Sequence, residues 1–266
     1  MIDVALQLRV GDGRRHFDLD VAFASEAPVV ALYGPSGAGK SLTLQAMAGL
    51  LPARRGHVRI GGRSLFDSAA GIDVPAPQRR LGFLFQQYAL FPHLSVRENV
   101  AFGLTSWRRR LTSDEAERVD ALLETFELAA MGASRPATLS GGQQQRTALA
   151  RALACDPAAL LLDEPFAALN PMLRQSLRVE LARVRERWQI PMVMITHDVE
   201  DVLALANVAF LVDGGRITRE VDLDRAESRA AQRDLLLAPA QQRPRRPHEE
   251  ALRAMLGAGS LSGSDA

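Results

Sequence analysis

The stretch that decides the fold of this chain is Gly34-Pro35-Ser36-Gly37-Ala38-Gly39-Lys40-Ser41. Of the 32 lysine and arginine residues in the chain, Lys40 is the only lysine and all the others are arginine. Arginine carries a wide planar guanidinium, whereas lysine carries a compact charge on a flexible stem. Because all the remaining basic positions hold arginine, we infer that position 40 requires the small ammonium group of lysine.

The stretch matches the pattern G-x-x-x-x-G-K-[ST], the phosphate-binding loop of nucleotide hydrolases. Apolar residues 29–33 before it predict a strand, and residues 41–47 after it have helical character, which is the context that the motif requires. The glycines let the backbone curl so that N–H groups point into one anion-binding concavity, next to the positive end of a helix. A glycine-rich turn with a solvated lysine is the alternative. We predict a nucleoside-triphosphate site at 34–42, ending at Leu42, where Lys40 reaches the β- and γ-phosphates and Ser41 ligates Mg²⁺.

The composition narrows the class of protein. A net charge of +1 argues against a dedicated nucleic-acid binder, and no nucleic-acid partner is expected. Cys155 is the only cysteine, so an internal disulfide is excluded and a reducing compartment is favoured. The N-terminus shows no signal-peptide pattern, and no apolar run approaches the roughly 18–20 residues that span a bilayer. We therefore expect a cytosolic chain that reaches a membrane only through a partner.

Strand and helix patterns alternate along most of the chain, which indicates a mainly parallel sheet covered by helices. Two further strands near the N-terminus are joined by a polar turn, and the period becomes helical at about 87–155. Capping boxes at Ser95–Glu98 and Thr112–Glu115 open two helices there. We predict an α/β fold with an N-terminal antiparallel β subdomain, an inserted helical subdomain, and a helical tail at 222–266 that ends in a mobile segment. Strands are predicted at 4–10, 17–23, 29–33, 56–62, 81–85, 159–163, 192–196 and 207–212.

Two adjacent carboxylates follow the apolar strand 159–162. Asp163 is placed to hold the Mg²⁺ that bridges the phosphates. Glu164 faces the other side of the strand end, where it would polarise an attacking water molecule. The alternative is a pair of solvated acids at a strand terminus, which the upstream phosphate loop disfavours.

The run Leu139-Ser140-Gly141-Gly142-Gln143 resembles the signature LSGGQ of the ATP-binding cassette family. A serine N-cap followed by two glycines presents bare N–H groups at the start of a helix, which suits a γ-phosphate. The resemblance covers about residues 1–221, expected to be the ATPase domain. It implies that Ser140, Gly141, Gly142 and Gln143 contact the ATP held by a second copy, so that two chains enclose two ATP molecules.

Further site residues are implied by the same resemblance. Gln86 matches the glutamine that reaches Mg²⁺ and the attacking water, and His197 matches the histidine that contacts the γ-phosphate. Asn170 stands where the family has aspartate at the dimer interface. No aromatic residue lies near residues 9–10, where the family stacks adenine, and strand alternation predicts a core position for Phe17, the nearest candidate.

The region from Phe91 to Val100 is similar to importer ATPases, and residues 55–82 look most like molybdate-type importers, followed by sulfate and iron(III) types. The resemblance implies an ATP-hydrolysing subunit, peripheral on the cytoplasmic face of the inner membrane. Its partners would be two transmembrane permease subunits and, indirectly, an extracytoplasmic solute-binding protein.

We expect an exposed cluster of Tyr88, Leu90 and Phe91 to dock the membrane subunit. Because about 45 residues follow the cassette, we do not expect an added oxyanion-binding regulatory domain. A soluble cassette acting on DNA or the ribosome, and a pure nucleotide-binding regulator, are the alternatives.

Overall fold

The computed structural model describes residues 1–11, 16–106, 109–167, 171–225 and 229–237, and for residues 173, 229, 230 and 235 the backbone alone. These residues form strands and helices that alternate over most of the chain. The strands are β1 (Ile2–Gly11), β2 (His16–Ser25), β3 (Val29–Tyr33), β4 (Arg55–Ile60), β5 (Arg63–Asp67), β6 (Ile72–Asp73), β7 (Leu81–Leu84), β8 (Ala159–Asp163), β9 (Met192–Thr196), β10 (Val208–Asp213) and β11 (Arg216–Asp222). The α-helices are α1 (Lys40–Ala48), α2 (Val96–Ala101), α3 (Ser113–Thr125), α4 (Gly141–Ala154), α5 (Pro171–Trp188), α6 (Val199–Leu205) and α7 (Arg229–Leu237).

The central sheet has the strand order β11-β10-β3-β9-β8-β7 in the described part of the chain. The five strands from β10 to β7 are parallel, and only β11 runs antiparallel, paired with β10. Every residue of β8 and of β9 is buried, because helices or the second sheet cover both faces. The carboxyl ends of β3, β9, β8 and β7 therefore meet along one edge, where the polar site residues follow them.

The second sheet is antiparallel, with the strand order β2-β1-β4-β5-β6. Its inward side chains, among them Val4 and Leu6, join one apolar cluster with Leu44 and Met47 of α1 and with one face of the central sheet. Burial in β2 alternates with period two, as expected for a strand with one covered face. Helix α1 is thereby held between the two sheets, and the loop before it is fixed.

In sequence, helices α2, α3 and α4 lie between β7 and β8. They pack on the face of the central sheet opposite to the one covered by α1. Side chains such as Val100, Leu122 and Leu149 form a second cluster with Leu160 and Met194. Ser95, Thr112 and Ser140 cap these three helices, each in a complete capping box with the residue three positions later. The first two boxes confirm the predicted helix starts.

The predicted fold class is confirmed: an α/β fold with a mainly parallel sheet and an N-terminal antiparallel sheet. Strands β5, β6 and β11 were not predicted, because they are short or mostly half-exposed and lack a long apolar run. Residue 170 and residues 238–266, which include most of the predicted tail, lie outside the described residues. Within the described ranges, none of the helices has the length and apolarity needed to cross a membrane.

Candidate functional site

The glycine-rich loop joins the end of β3 to the start of α1. At Gly34 a Cβ atom would lie 2.1 Å from the carbonyl oxygen of Val212, so the loop can pass β10 only with glycine. Gly39, the N-cap of α1, has a φ of 98°, in the left-handed region that glycine alone adopts without strain. The amide of Gly215, in the turn between β10 and β11, donates to the carbonyl of Ala38 at 3.0 Å and so holds the loop from outside. The loop is therefore held in one curved conformation that suits an anion.

Lys40 is buried, with an exposed fraction of 4%. Its Nζ donates to the carbonyl oxygens of Gly34 at 2.7 Å and of Pro35 at 2.8 Å, so the ammonium lies across the loop. Burial lowers the pKa of Lys40, while the charges of Glu164 and Asp163 oppose that shift. A compact buried cation held by two carbonyls of a glycine-rich loop is the arrangement expected for phosphate recognition.

Ser41 and Asp163 lie 122 positions apart in sequence, and the fold brings them into contact. The Ser41 hydroxyl donates to Oδ1 of Asp163 at 2.9 Å. Asp163 is 5% exposed; burial raises the pKa of its carboxyl, and the hydrogen bond from Ser41 counteracts this. A hydroxyl and a carboxylate at this distance fit Mg²⁺, which takes one or two protein oxygens and completes its shell with phosphates and water. The described residues contain no cluster of three or more His, Cys, Asp or Glu that would hold a metal by themselves.

Glu164 lies between Gln86 and His197. Its Oε2 accepts from Nε2 of Gln86 at 3.3 Å, and its Oε1 lies 3.3 Å from Nδ1 of His197. The three residues follow β7, β8 and β9, whose carboxyl ends are adjacent. The backbone of Glu164 has a φ of 47°, a strained value for a residue with a side chain. The structure thus brings all three predicted catalytic residues to one place beside the phosphate loop.

A cavity of about 330 Å³ opens at this place. It is lined by Phe17, Ser36, Gly37, Gly39, Lys40, Ser41, Leu42, Gln86 and Glu164. A Cβ at Gly37 would meet no atom within 4 Å, so the loop leaves room for a ligand here. A larger cavity of about 760 Å³, next to Arg146, Glu180 and Trp188, contains none of the predicted site residues.

The signature residues lie apart from this cavity. Ser140 caps α4, where its hydroxyl accepts from the Gln143 amide and its own amide donates to Oε1 of Gln143 at 2.8 Å. Ser140 and Gly141 are exposed, Gly142 is buried, and none of the four residues 140–143 lines the cavity of the same chain. The N-terminus of α4 therefore faces outward with free backbone donors.

The expectation that Phe17 belongs to the core was confirmed in part, because its ring packs against the apolar cluster of the second sheet and α1. Phe17 is half-buried and lines the cavity, and a Cβ at Gly39 would lie 2.9 Å from its Cε1. The strand alternation was read correctly, since Phe17 faces the same side as buried Leu19. At this end of β2 the edge of the core adjoins the phosphate loop, so the inward-facing ring packs on the core and also covers the loop at Gly39.

The prediction of an exposed Tyr88–Leu90–Phe91 cluster was wrong. Tyr88 is 6% exposed and belongs to the apolar cluster of the helical part. Its backbone has a φ of 60°, which turns the side chain inward beneath α4. Phe91 is half-buried, and its ring lies 4.0 Å from that of Phe102, which is 46% exposed. The apolar surface of this region is therefore formed at Phe91 and Phe102.

The fold and the loop define a P-loop nucleotide-binding protein. Residues 20–167 match the family model of the ABC transporter, so the chain belongs to the ABC transporter family. The chain is 40% identical over 225 residues to the molybdenum import ATP-binding protein ModC of Paramagnetospirillum magneticum, covering 84% of this chain and 60% of that protein. It is 44% identical over 203 residues to the sulfate/thiosulfate import ATP-binding protein CysA of Caulobacter vibrioides, covering 75% of this chain and 57% of that protein.

The chain thus spans about three-fifths of the length of these curated relatives. Among solved structures, it is similar to the ATP-binding cassette MJ0796 in a dimeric post-hydrolysis state bound to ADP and Pi. The TM-score is 0.71 at 29% identity, with 84% of this chain and 99% of that chain covered.

Proposed function

We propose that this chain binds ATP with Mg²⁺ and hydrolyses it. The observation that carries the proposal is the meeting of Lys40, Ser41, Gln86 and Glu164 at one cavity. Asp163 contacts Ser41 and His197 contacts Glu164 beside it. This set contains a phosphate cradle, oxygen ligands for a hard cation and a carboxylate that can accept a proton. These are the parts that phosphoryl transfer to water requires.

Each residue has a role that follows from its position. Lys40 and the loop amides would neutralise the β- and γ-phosphate oxygens, for which Mg²⁺ would supply further positive charge when bound. Glu164 would orient a water molecule and accept its proton. Gln86 and His197, each 3.3 Å from one of its oxygens, would hold the carboxylate from either side. Asp163 and Ser41 would hold the metal.

We infer that two copies of the chain enclose the nucleotides. Ser140 and Gly141 are exposed at the N-terminus of a 14-residue helix, away from the cavity of their own chain. Such a helix end attracts phosphate through its free N–H groups and its dipole. The dimeric state of the related cassette MJ0796 supports this arrangement.

We further propose that hydrolysis drives import across the inner membrane, with two permease subunits as partners and the chain on the cytoplasmic face. A solute-binding protein outside the membrane would act through those permeases. The apolar surface of Phe91 and Phe102 is suited to contact a permease. Molybdate is the first candidate solute because of the relative named for molybdenum import, and sulfate is the second because of the relative named for sulfate import. Iron(III) import and a non-transport cassette remain alternatives.

The solute is tested by uptake in cells that lack this protein. We expect molybdate and tungstate accumulation at nanomolar supply to fall to background, because no hydrolysis would power the permease. Restoring the unaltered chain should restore uptake, whereas restoring Glu164→Gln should not. Normal molybdate uptake together with impaired sulfate uptake would transfer the assignment to sulfate. If uptake of every solute is unchanged, the import proposal fails.

Phe17 provides a test of how the nucleotide is oriented. We propose that its ring contacts the adenine, because it covers the loop at Gly39. Phe17→Ala should weaken ATP binding by about 1–3 kcal/mol, the usual contribution of one base–aromatic stack. Phe17→Trp should retain binding. The measurement is calorimetric titration with ATP and, as a control, with inorganic tripolyphosphate, whose affinity should not change. Equal losses for both ligands would mean that the substitution distorts the loop, which would contradict a contact with the base.

A further inference from the structure

Gln145 is a fully buried amide in the helix that begins with the signature residues. Its exposed fraction is 0%, and both ends of its side chain have a partner. Nε2 donates to the carbonyl oxygen of Pro165 at 2.6 Å, and Oε1 lies 3.4 Å from the hydroxyl of Tyr88. A buried amide costs free energy unless it is hydrogen-bonded, so its position is fixed by these two contacts.

The first contact reaches the residue next to Glu164. Glu164 has a φ of 47° and precedes a proline, a combination that the backbone does not adopt without support. The Glu164 amide donates to Ile195 at 3.1 Å, and the Ala167 amide donates to the Glu164 carbonyl at 3.2 Å. The Gln145 amide holds the next carbonyl in the chain. Helix α4 thereby contributes to the conformation that directs the Glu164 carboxylate.

The second contact reaches the segment after Gln86. Tyr88 and Ala89 have φ values of 60° and 46°, two successive left-handed residues. Arg151, farther along α4, donates to both of their carbonyl oxygens at 2.7 Å. The segment that follows Gln86 is therefore attached to α4 in two ways: through the Tyr88 hydroxyl, and through the backbone carbonyls of Tyr88 and Ala89.

We propose that Gln145 is a positioning residue that couples α4 to the Glu164 carboxylate and to the segment after Gln86. When the N-terminus of α4 binds the nucleotide held by the second chain, the Gln145 amide transmits the position of the helix to Gln86 and Glu164. These two side chains would flank the attacking water. Gln145 touches neither nucleotide nor water and acts through Pro165 and Tyr88. This inference rests on the proposed ATP hydrolysis.

The test compares Gln145→Met, which keeps the length of the side chain but removes the donor, with the unaltered chain. The kcat for ATP should fall about 10- to 100-fold, as expected when a reacting group moves by about 1 Å. The KM should stay within about 2-fold of its original value, because no phosphate contact is lost. Tyr88→Phe removes one weak hydrogen bond and should lower kcat by about 2- to 5-fold. It also provides a second variant if Gln145→Met does not fold.

Two controls separate positioning from general destabilisation. Asn207→Leu removes another half-buried amide, whose Oδ1 accepts from the Val29 amide at 3.1 Å at the opposite end of β3, and should leave kcat unchanged. In a Glu164→Gln background, Gln145→Met should add much less than its full loss in single-turnover rate, because the carboxylate that it positions is absent and only the placement of Gln86 is still affected.

Unchanged kcat in Gln145→Met and Tyr88→Phe, with the unaltered chain active, would overturn the inference and leave the proposed function intact. A full additional loss in the Glu164→Gln background would overturn it as well. An unaltered chain that does not hydrolyse ATP would contradict the proposed function itself, and the inference would fail with it.

Discussion

Glu164→Gln is expected to bind ATP as the unaltered chain does and to hydrolyse it about 10²–10³ times more slowly, the usual cost of one transition-state contact. The amide keeps the size of the side chain and its hydrogen bond with Gln86, but it cannot accept the proton of the attacking water. The measurement is steady-state phosphate release at saturating ATP and excess Mg²⁺, with the dissociation constant of ATP measured separately.

Lys40→Ala is the matched contrast, because it removes the buried ammonium and leaves the carboxylate in place. This variant should lose ATP binding itself, and turnover should become undetectable. Thermal unfolding without nucleotide serves as the control for folding of both variants. Near-normal phosphate release by Glu164→Gln would exclude Glu164 from the catalytic role, and undiminished ATP affinity in Lys40→Ala would exclude the Lys40 ammonium from phosphate binding.

Ser140→Arg is expected to abolish ATP-dependent dimerisation. Glu164→Gln would retain ATP and accumulate the dimer, so the substitution is made in that background. An arginine at the N-cap of α4 places a long side chain in front of the exposed N–H groups and breaks the capping box with Gln143. The lost cap costs about 1 kcal/mol, and the blocked surface would prevent the second chain from docking. Sedimentation velocity at saturating MgATP measures the result.

Thr112→Arg provides the control for this experiment. Thr112 is an exposed N-cap in an equivalent capping box with Glu115, at the start of α3. Its replacement breaks the same kind of cap and adds the same charge away from the signature residues. It should leave the dimer intact. Dimerisation of the Ser140→Arg protein would count against a site shared between two chains. Monomers for all three proteins, Glu164→Gln alone, with Ser140→Arg and with Thr112→Arg, would count against it as well.

Local features of this protein were encoded in short stretches of sequence. The loop around Lys40 was predictable because its glycines, its lysine and the flanking strand and helix are neighbours in the chain. The helix starts at Ser95 and Thr112 were predictable because a capping box needs residues only three positions apart. The mainly parallel sheet followed from alternating periodicity.

Part of the candidate site depended on where strand ends lie relative to other elements. Phe17 alternates as a core residue does and packs at the edge of the core, where its ring also lies over Gly39 and lines the cavity. Tyr88 has the sequence context of a surface aromatic, and a left-handed backbone turns it into the interior. Neither outcome is contained in the hydrophobic pattern, because that pattern reports which face is inward and not what covers it.

The sequence by itself determined which residues we propose for phosphate and metal chemistry: Lys40, Ser41, Asp163 and Glu164 were singled out from motifs and strand ends. Only the tertiary structure decided that Ser41 lies 2.9 Å from Asp163 and that Gln145 reaches Pro165. These contacts join distant parts of the chain, and they depend on the strand order β3-β9-β8-β7 and on how α4 packs against that sheet. Strand order is set by burial summed over the whole core, so no short stretch of sequence specifies it.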